Sequence, residues 1–154
     1  MNKDLILTAA VGLSFPQIEF FIKSLRKYYE DEVCFIISKN DQELERKLES
    51  YNCKIIRTSI SKKNIQFKRY EIYLEYLKDK KYNQILLCDS RDIYFQDNPF
   101  NFNFTKQISF FLEDYKIKDC PYNSNWLIKT YGQDEYDNIS NKTILCSGTV
   151  LGSY

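Results

Sequence analysis

Two aspartates, Asp89 and Asp92, close the stretch "QILLCDSRDIYFQDNPF", with Arg91 between them. The run Gln84–Cys88 before them reads as a buried strand. Two carboxylates this close repel each other, and a divalent cation between them offsets that cost. Hard oxygen ligands suit magnesium or manganese, ions that usually keep coordination positions open for substrate phosphates. The same pattern is also met by a solvated strand end or by an ion pair with Arg91. Spacing leaves these readings open.

The rest of the inventory narrows the chemistry. The chain has no histidine, which excludes histidine acid–base catalysis, Ser–His triads and His-ligated zinc. Its five cysteines are Cys34, Cys53, Cys88, Cys120 and Cys146, an odd number with no CxxC pair. Most lie in or beside apolar runs and read as small buried hydrophobes in a reducing, cytoplasmic compartment. Lys plus Arg number 22 and Asp plus Glu 21, a balance that gives no reason to expect nucleic acid as a partner. The start, "MNKDLILTAAVGLSF", has an apolar run broken by Asp4 and Thr8, so it reads as a first strand rather than a leader. No apolar run approaches the roughly 20 residues of a transmembrane helix.

Elements that would position the aspartates follow from patterning. At 154 residues and 44% hydrophobic content, one domain spanning 1–154 is expected. "DLILTAAVG", "EVCFIISK", "CKIIRTSI" and "NQILLCD" read as strands. Three helices alternate with them: "PQIEFFIKSLRKYY" behind Ser14, "NDQELERKLESYN" opened by Asn40 or Asp41, and "IQFKRYEIYLEYLKDKKY". In the last, Ile65, Tyr73, Leu74 and Leu77 are the expected inward positions. Continuously apolar strands alternating with helices predict an α/β fold: a mostly parallel sheet with helices on both faces, Rossmann-like. After Asp92 the rhythm changes. An aromatic segment holding Tyr94, Phe95, Phe100, Phe102 and Phe104 is expected to pack beneath the site. A strand over "QISFFLED", a helix over "SNWLIKTYGQDEY" and a last strand with a glycine turn over "KTILCSGTVLGSY" follow. In open parallel sheets ligands bind beyond the carboxyl ends of the strands, where Asp89 and Asp92 stand.

At this point the residues meet a known pattern. "ILLCDSRDIYFQ" resembles the metal-binding strand of GT-A nucleotide-sugar glycosyltransferases, in the D-x-x-D form found in collagen-modifying glycosyltransferase domains. "ILCSGTVLG" resembles that family's N-S-G-x-x-x-G stretch, with Cys146 in place of Asn. The resemblance covers nearly the whole chain. It implies a nucleotide-binding half over 1–100 and a partial acceptor-side half over 101–154. It implies a metal-dependent enzyme moving a sugar from a nucleotide diphosphate donor, UDP-sugar by expectation, to a hydroxyl on a glycan, protein or small molecule. Thr8, Ala9, Ala10 and Val11 would lie against the nucleoside. Arg69, with Lys68 as fallback, would reach the nucleotide phosphates. Asp89 would contact ribose or metal, Asp92 would hold the metal (Mn2+ or Mg2+), and Ser90 and Arg91 would face the nucleotide. Ser147 and Gly148 would approach donor sugar or acceptor. Which residue performs the catalytic step is not implied.

Relatives of this pattern usually continue well past the S-G segment and carry a third metal ligand there, often His. The present chain has no His and stops at Tyr154. A non-catalytic nucleotide-binding or protein-interaction module is therefore the alternative expectation. A phosphoryl-transfer fold is disfavoured, because the first strand ends "TAAVG" without D-x-D-x-T and no P-loop is present.

Overall fold

The parallel core begins with β1 (Leu5–Ala9), β2 (Glu32–Ser38) and β3 (Cys53–Thr58), joined by α1 (Phe15–Leu25) and α2 (Gln42–Ser50). A long α3 (Lys62–Leu77) returns the chain to β4 (Gln84–Asp89). Then come β5 (Ile108–Lys116), a 3-10 turn (Ile117–Asp119), α4 (Pro121–Tyr131), α5 (Gln133–Ile139) and β6 (Thr143–Ser153). The computed structural model describes residues 3–101 and 107–153. Phe102 and Phe104 of the expected aromatic cluster lie outside the described residues. The sheet order is β3-β2-β1-β4-β6-β5. The β3–β2, β2–β1 and β1–β4 pairs are parallel, while β6 runs antiparallel to β4. The mostly parallel α/β architecture expected from the sequence is the one observed.

Side-chain alternation divides the core between the two sheet faces. Ile6, Val33, Phe35 and Leu86 pack beneath α1 and α2. Leu5, Leu7, Cys34 and Ile36 pack beneath α3. Phe21, 1% exposed, anchors the first cluster, its ring edge-on to both Phe35 and Phe95. Caps fix where the helices start. Ser14 N donates to Gln17 Oε1 at 2.9 Å, and Asp41 Oδ1 accepts from Leu44 N at 3.1 Å. On α3, Ile65 and Tyr73 face inward, but Leu74 is 73% exposed, against expectation. It lies nine residues from Ile65, half a turn around the helix at 3.6 residues per turn. Arg69 occupies the inward face instead, between Ile65 and Tyr73.

Contacts divide the chain into two compact units, Met1–Ser109 with Gly148–Tyr154, and Phe110–Ser147. Within the second unit, Gly132 separates α4 from α5 where a single helix was expected. Its φ of +95° lies in the region closed to most L-residues, and its N–H caps α4 on Ile128 O. Hydrogen bonds from Ile117 N to Lys142 O and from Lys118 N to Ser140 O tie this unit's ends together. The last strand also differs from expectation: β6 runs unbroken through Gly148, with no glycine turn.

Burial explains the cysteines of the parallel core. Desolvation pushes the Cys34 thiol up to about 12 and the Cys53 thiol up to about 11, and it raises Cys88 as well. Cys120 and Cys146 are only half-buried. A thiol reagent at neutral pH should therefore modify Cys120 and Cys146 in the native protein, and the other three only after denaturation. Rapid native labelling of Cys34 or Cys88 would contradict the described core. Phe21→Ala should lower unfolding free energy by about 3–5 kcal/mol in urea titration, without changing the slope.

Candidate functional site

β1 is flanked by β2 on one side and β4 on the other, so the strand order reverses direction between β1 and β4. Crevices form beyond the carboxyl ends of strands at such a point. Register places Ala9 of β1 beside Asp89 of β4. On the other flank of β4, Cys88 pairs with Thr149, which brings Gly148 opposite Asp89.

The Asp89 carboxylate is held from two sides. Arg69 Nη1 donates to Asp89 Oδ1, and the side chains are 11% and 44% exposed respectively. Burial opposes the charge on Arg69, but the hydrogen bond and field of Asp89 outweigh it and raise the guanidinium's pKa further. Gly148 faces the other oxygen. A Cβ at position 148 would lie 2.6 Å from Asp89 Oδ2 and 3.1 Å from Asp89 Cγ. The glycine therefore provides the space in which this carboxylate sits.

Other residues expected from the sequence take different places. Ser90 is buried, and its hydroxyl donates to Ala9 O at 2.8 Å, bridging the ends of β1 and β4. Arg91 and Asp92 are exposed in the loop after β4, and neither makes a hydrogen bond or ion pair among the described residues. Asp89 thus pairs with Arg69 on α3 and not with its neighbour Arg91. Lys68 points away from Asp89 to Glu71, at 2.6 Å. Thr8 is fully buried, and among the described residues its hydroxyl has no hydrogen-bond partner. Ala9 is half-buried, and Ala10 extends the sheet by donating to Ile36 O at 2.8 Å. Ser147 is exposed. Tyr94 is 57% exposed, while Phe95 and Phe100 are buried as expected.

Beyond the ends of β1, β2 and β3 lies a cavity of about 350 Å³, lined by Val11, Gly12, Lys39, Thr58, Ser61 and Lys62 among others. Gly12 has φ +70°, and a Cβ there would meet Lys62 Cδ at 2.9 Å. Its carbonyl accepts from Lys62 Nζ at 3.2 Å. Two lysines and several hydroxyls thus line the mouth, a donor-rich surface for an anionic or polyhydroxyl ligand. The expected third helix opened at Ile65, whereas α3 begins at Lys62 and so carries this lysine to the cavity mouth. The usable signal was that β2 and β3, like β4, end in polar residues, Ser38 and Thr58 beside Asp89.

A divalent cation can be tested against these groups. Among the described residues no three His, Cys, Asp or Glu side chains converge. Two aspartates, one ending β4 and already accepting from an arginine and one in the loop after it, supply few ligands. They fit a hard ion that brings water and phosphate oxygens for most of its shell, as magnesium and manganese usually do. They do not fit a tightly held resident ion.

Comparison with known proteins bears on the fold. No protein-family model and no curated protein matches the sequence. Glucosyl-3-phosphoglycerate synthase from Mycobacterium tuberculosis, solved with Mn2+, uridine diphosphate and phosphoglyceric acid, matches over 99% of this chain at TM-score 0.56 and 13% identity. The match covers 56% of that chain. The same enzyme with uridine diphosphate matches with 12% identity and TM-score 0.56, covering 99% of this chain and 57% of that one. The chain thus spans little more than half the length of these structures. The likeness establishes its fold: that of GT-A nucleotide-sugar glycosyltransferases.

The geometry around Asp89 makes a direct prediction. Gly148→Ala should destabilise the fold by on the order of 1–3 kcal/mol, the usual cost of overpacking. In an Asp89→Ala background the same change should be nearly free, because the remaining Asp89 Cβ would be 3.7 Å away, an ordinary contact. Urea unfolding of the four proteins in this cycle measures the coupling. Additive effects would show that Gly148 does not act on Asp89.

Proposed function

We propose that this chain binds a nucleotide diphosphate sugar, UDP-linked by preference, and belongs to an enzyme that transfers the sugar to an acceptor hydroxyl. The observation that carries the reading is the Arg69–Asp89 pair at the strand switch point, on a fold shared with a glycosyltransferase solved with uridine diphosphate and Mn2+. In this reading the nucleoside enters the cavity beyond β1–β3, against Val11 and Gly12. Lys62 and Lys39 supply positive charge at its mouth. Arg69 offers a planar, multiply donating group to a phosphate and gives up part of its pairing with Asp89 when it does so. Ser90 keeps β1 and β4 in fixed relation while this happens, through its bond to Ala9 O.

Asp92 is the carboxylate free to meet a cation carried in by the diphosphate, and Asp89 becomes available as Arg69 turns to phosphate. When bound there, such a cation stabilises the negative charge that develops on the leaving diphosphate. A second reading, donor binding without turnover, draws on the small number of carboxylates gathered among the described residues.

Thermal melting tests the first reading. UDP with MnCl2 should raise the melting temperature by several degrees, since a ligand at ~100-fold excess over Kd adds about 2.7 kcal/mol. Asp92→Ala should remove the manganese-dependent part of that gain. Arg69→Ala and Lys62→Ala should weaken UDP with or without metal. No shift at millimolar UDP would overturn donor binding. Hydrolysis of a UDP-sugar that requires metal would separate the enzyme from the binding module.

A further inference from the structure

We propose that the second compact unit, Phe110–Ser147, carries a saccharide-binding pocket of its own, built on α4 and the start of β6. The cavity has a volume of about 430 Å³, within the range of small-molecule sites. Leu127 and Ile144, both buried, and the half-buried Ile117 form its apolar lining. Trp126 also lines it, yet the residue remains 45% exposed. Tyr131 packs edge-on to the indole, with ring centroids 5.7 Å apart at 80°, which steadies the ring. Asn123 and Lys142 line the same cavity, and among the described residues neither side chain makes a hydrogen bond or ion pair.

This combination matches a sugar ring. A pyranose has one face of C–H bonds, which an indole face covers, and an equatorial belt of hydroxyls. Those hydroxyls need groups that both donate and accept, as the Asn123 amide does, together with a donor such as the Lys142 ammonium. The site suits other occupants less well. A nucleoside diphosphate needs more positive charge than the one lysine in the lining supplies, and a purely apolar guest would leave the half-buried Asn123 amide facing it without a partner. The pocket lies wholly within the second unit, so the inference does not depend on the nucleotide site.

Trp126 is the chain's single tryptophan, so its fluorescence reports on this pocket alone. The full chain should be titrated with the methyl glycosides of common hexoses, a hexuronate and a short oligosaccharide, and separately with UDP. A saturable change in emission is expected with at least one saccharide and not with UDP. Asn123→Ala leaves the reporter in place and should weaken the response about tenfold, the effect of one lost hydrogen bond to ligand, while far-UV circular dichroism stays unchanged. Saturation-transfer NMR on the same sugars provides a readout that needs no change in emission. Flat titrations and no saturation transfer for every saccharide would overturn the proposal. So would a response that Asn123→Ala leaves intact, or one that appears only on raising protein concentration and so marks self-association. These outcomes are independent of the UDP melting experiment, so either proposal can fail alone.

Discussion

A carboxylate at the end of a central strand has to be neutralised by something, and in this fold the compensation comes from across the molecule. Asp89 leaves β4 flanked by β1 and β6, with the helix layer over one face. Arg69 reaches it from the inward side of α3, and Gly148 leaves room for it on β6. Removing Asp89 would leave the largely buried Arg69 guanidinium uncompensated, which costs more than an exposed ion pair is worth, whereas Asp89, 44% exposed, keeps part of its hydration. Three elements thereby meet at one charged group: α3, β4 and β6.

The same constraint determines how the site can work. Arg69 neutralises Asp89 in the ligand-free protein, so the crevice is not a bare acidic trap waiting for a metal. Asp92, one turn of loop further on and exposed, has no such partner among the described residues. Phosphate can compete for Arg69 because a guanidinium presents five donors in one plane. Under the proposed function, diphosphate and cation would then enter together, each relieving a charge that the other would otherwise leave unpaired. Under the same proposal, the lysines beyond β1–β3 would add attraction for that anion.

Much of this was legible in the sequence because it follows local rules. Apolar runs such as Leu5–Ala9 and Val33–Ile37 have strand length and composition, and Ser14 and Asp41 mark the helix starts beside them. Arg69 was singled out only through the family resemblance, as a phosphate contact, and its pairing with Asp89 is a finding of the structure. Errors arose where the deciding contact was distant in sequence. Leu74 has an inward-looking residue type, yet the helix rotation set by Ile65, Arg69 and Tyr73 turns it to solvent. Gly148 sits in a run that reads as a turn, yet its absent side chain answers to an aspartate 59 residues earlier. Lys62 lies outside the run that reads as the third helix, and its partner, the carbonyl of Gly12, is 50 residues back along the chain.

Taken alone, the sequence determined the alternation of strand and helix, the absence of histidine chemistry, and the presence of two aspartates where a parallel strand ends. These depend on residue type and on periods of two and 3.6 residues, which a single segment carries within itself. Only the tertiary structure decided which cation faces Asp89, why residue 148 is a glycine, and that three further strand ends gather lysines and hydroxyls around a cavity. Those are pairings between segments tens of residues apart, and they exist only once sheet order and helix rotation have brought the segments together.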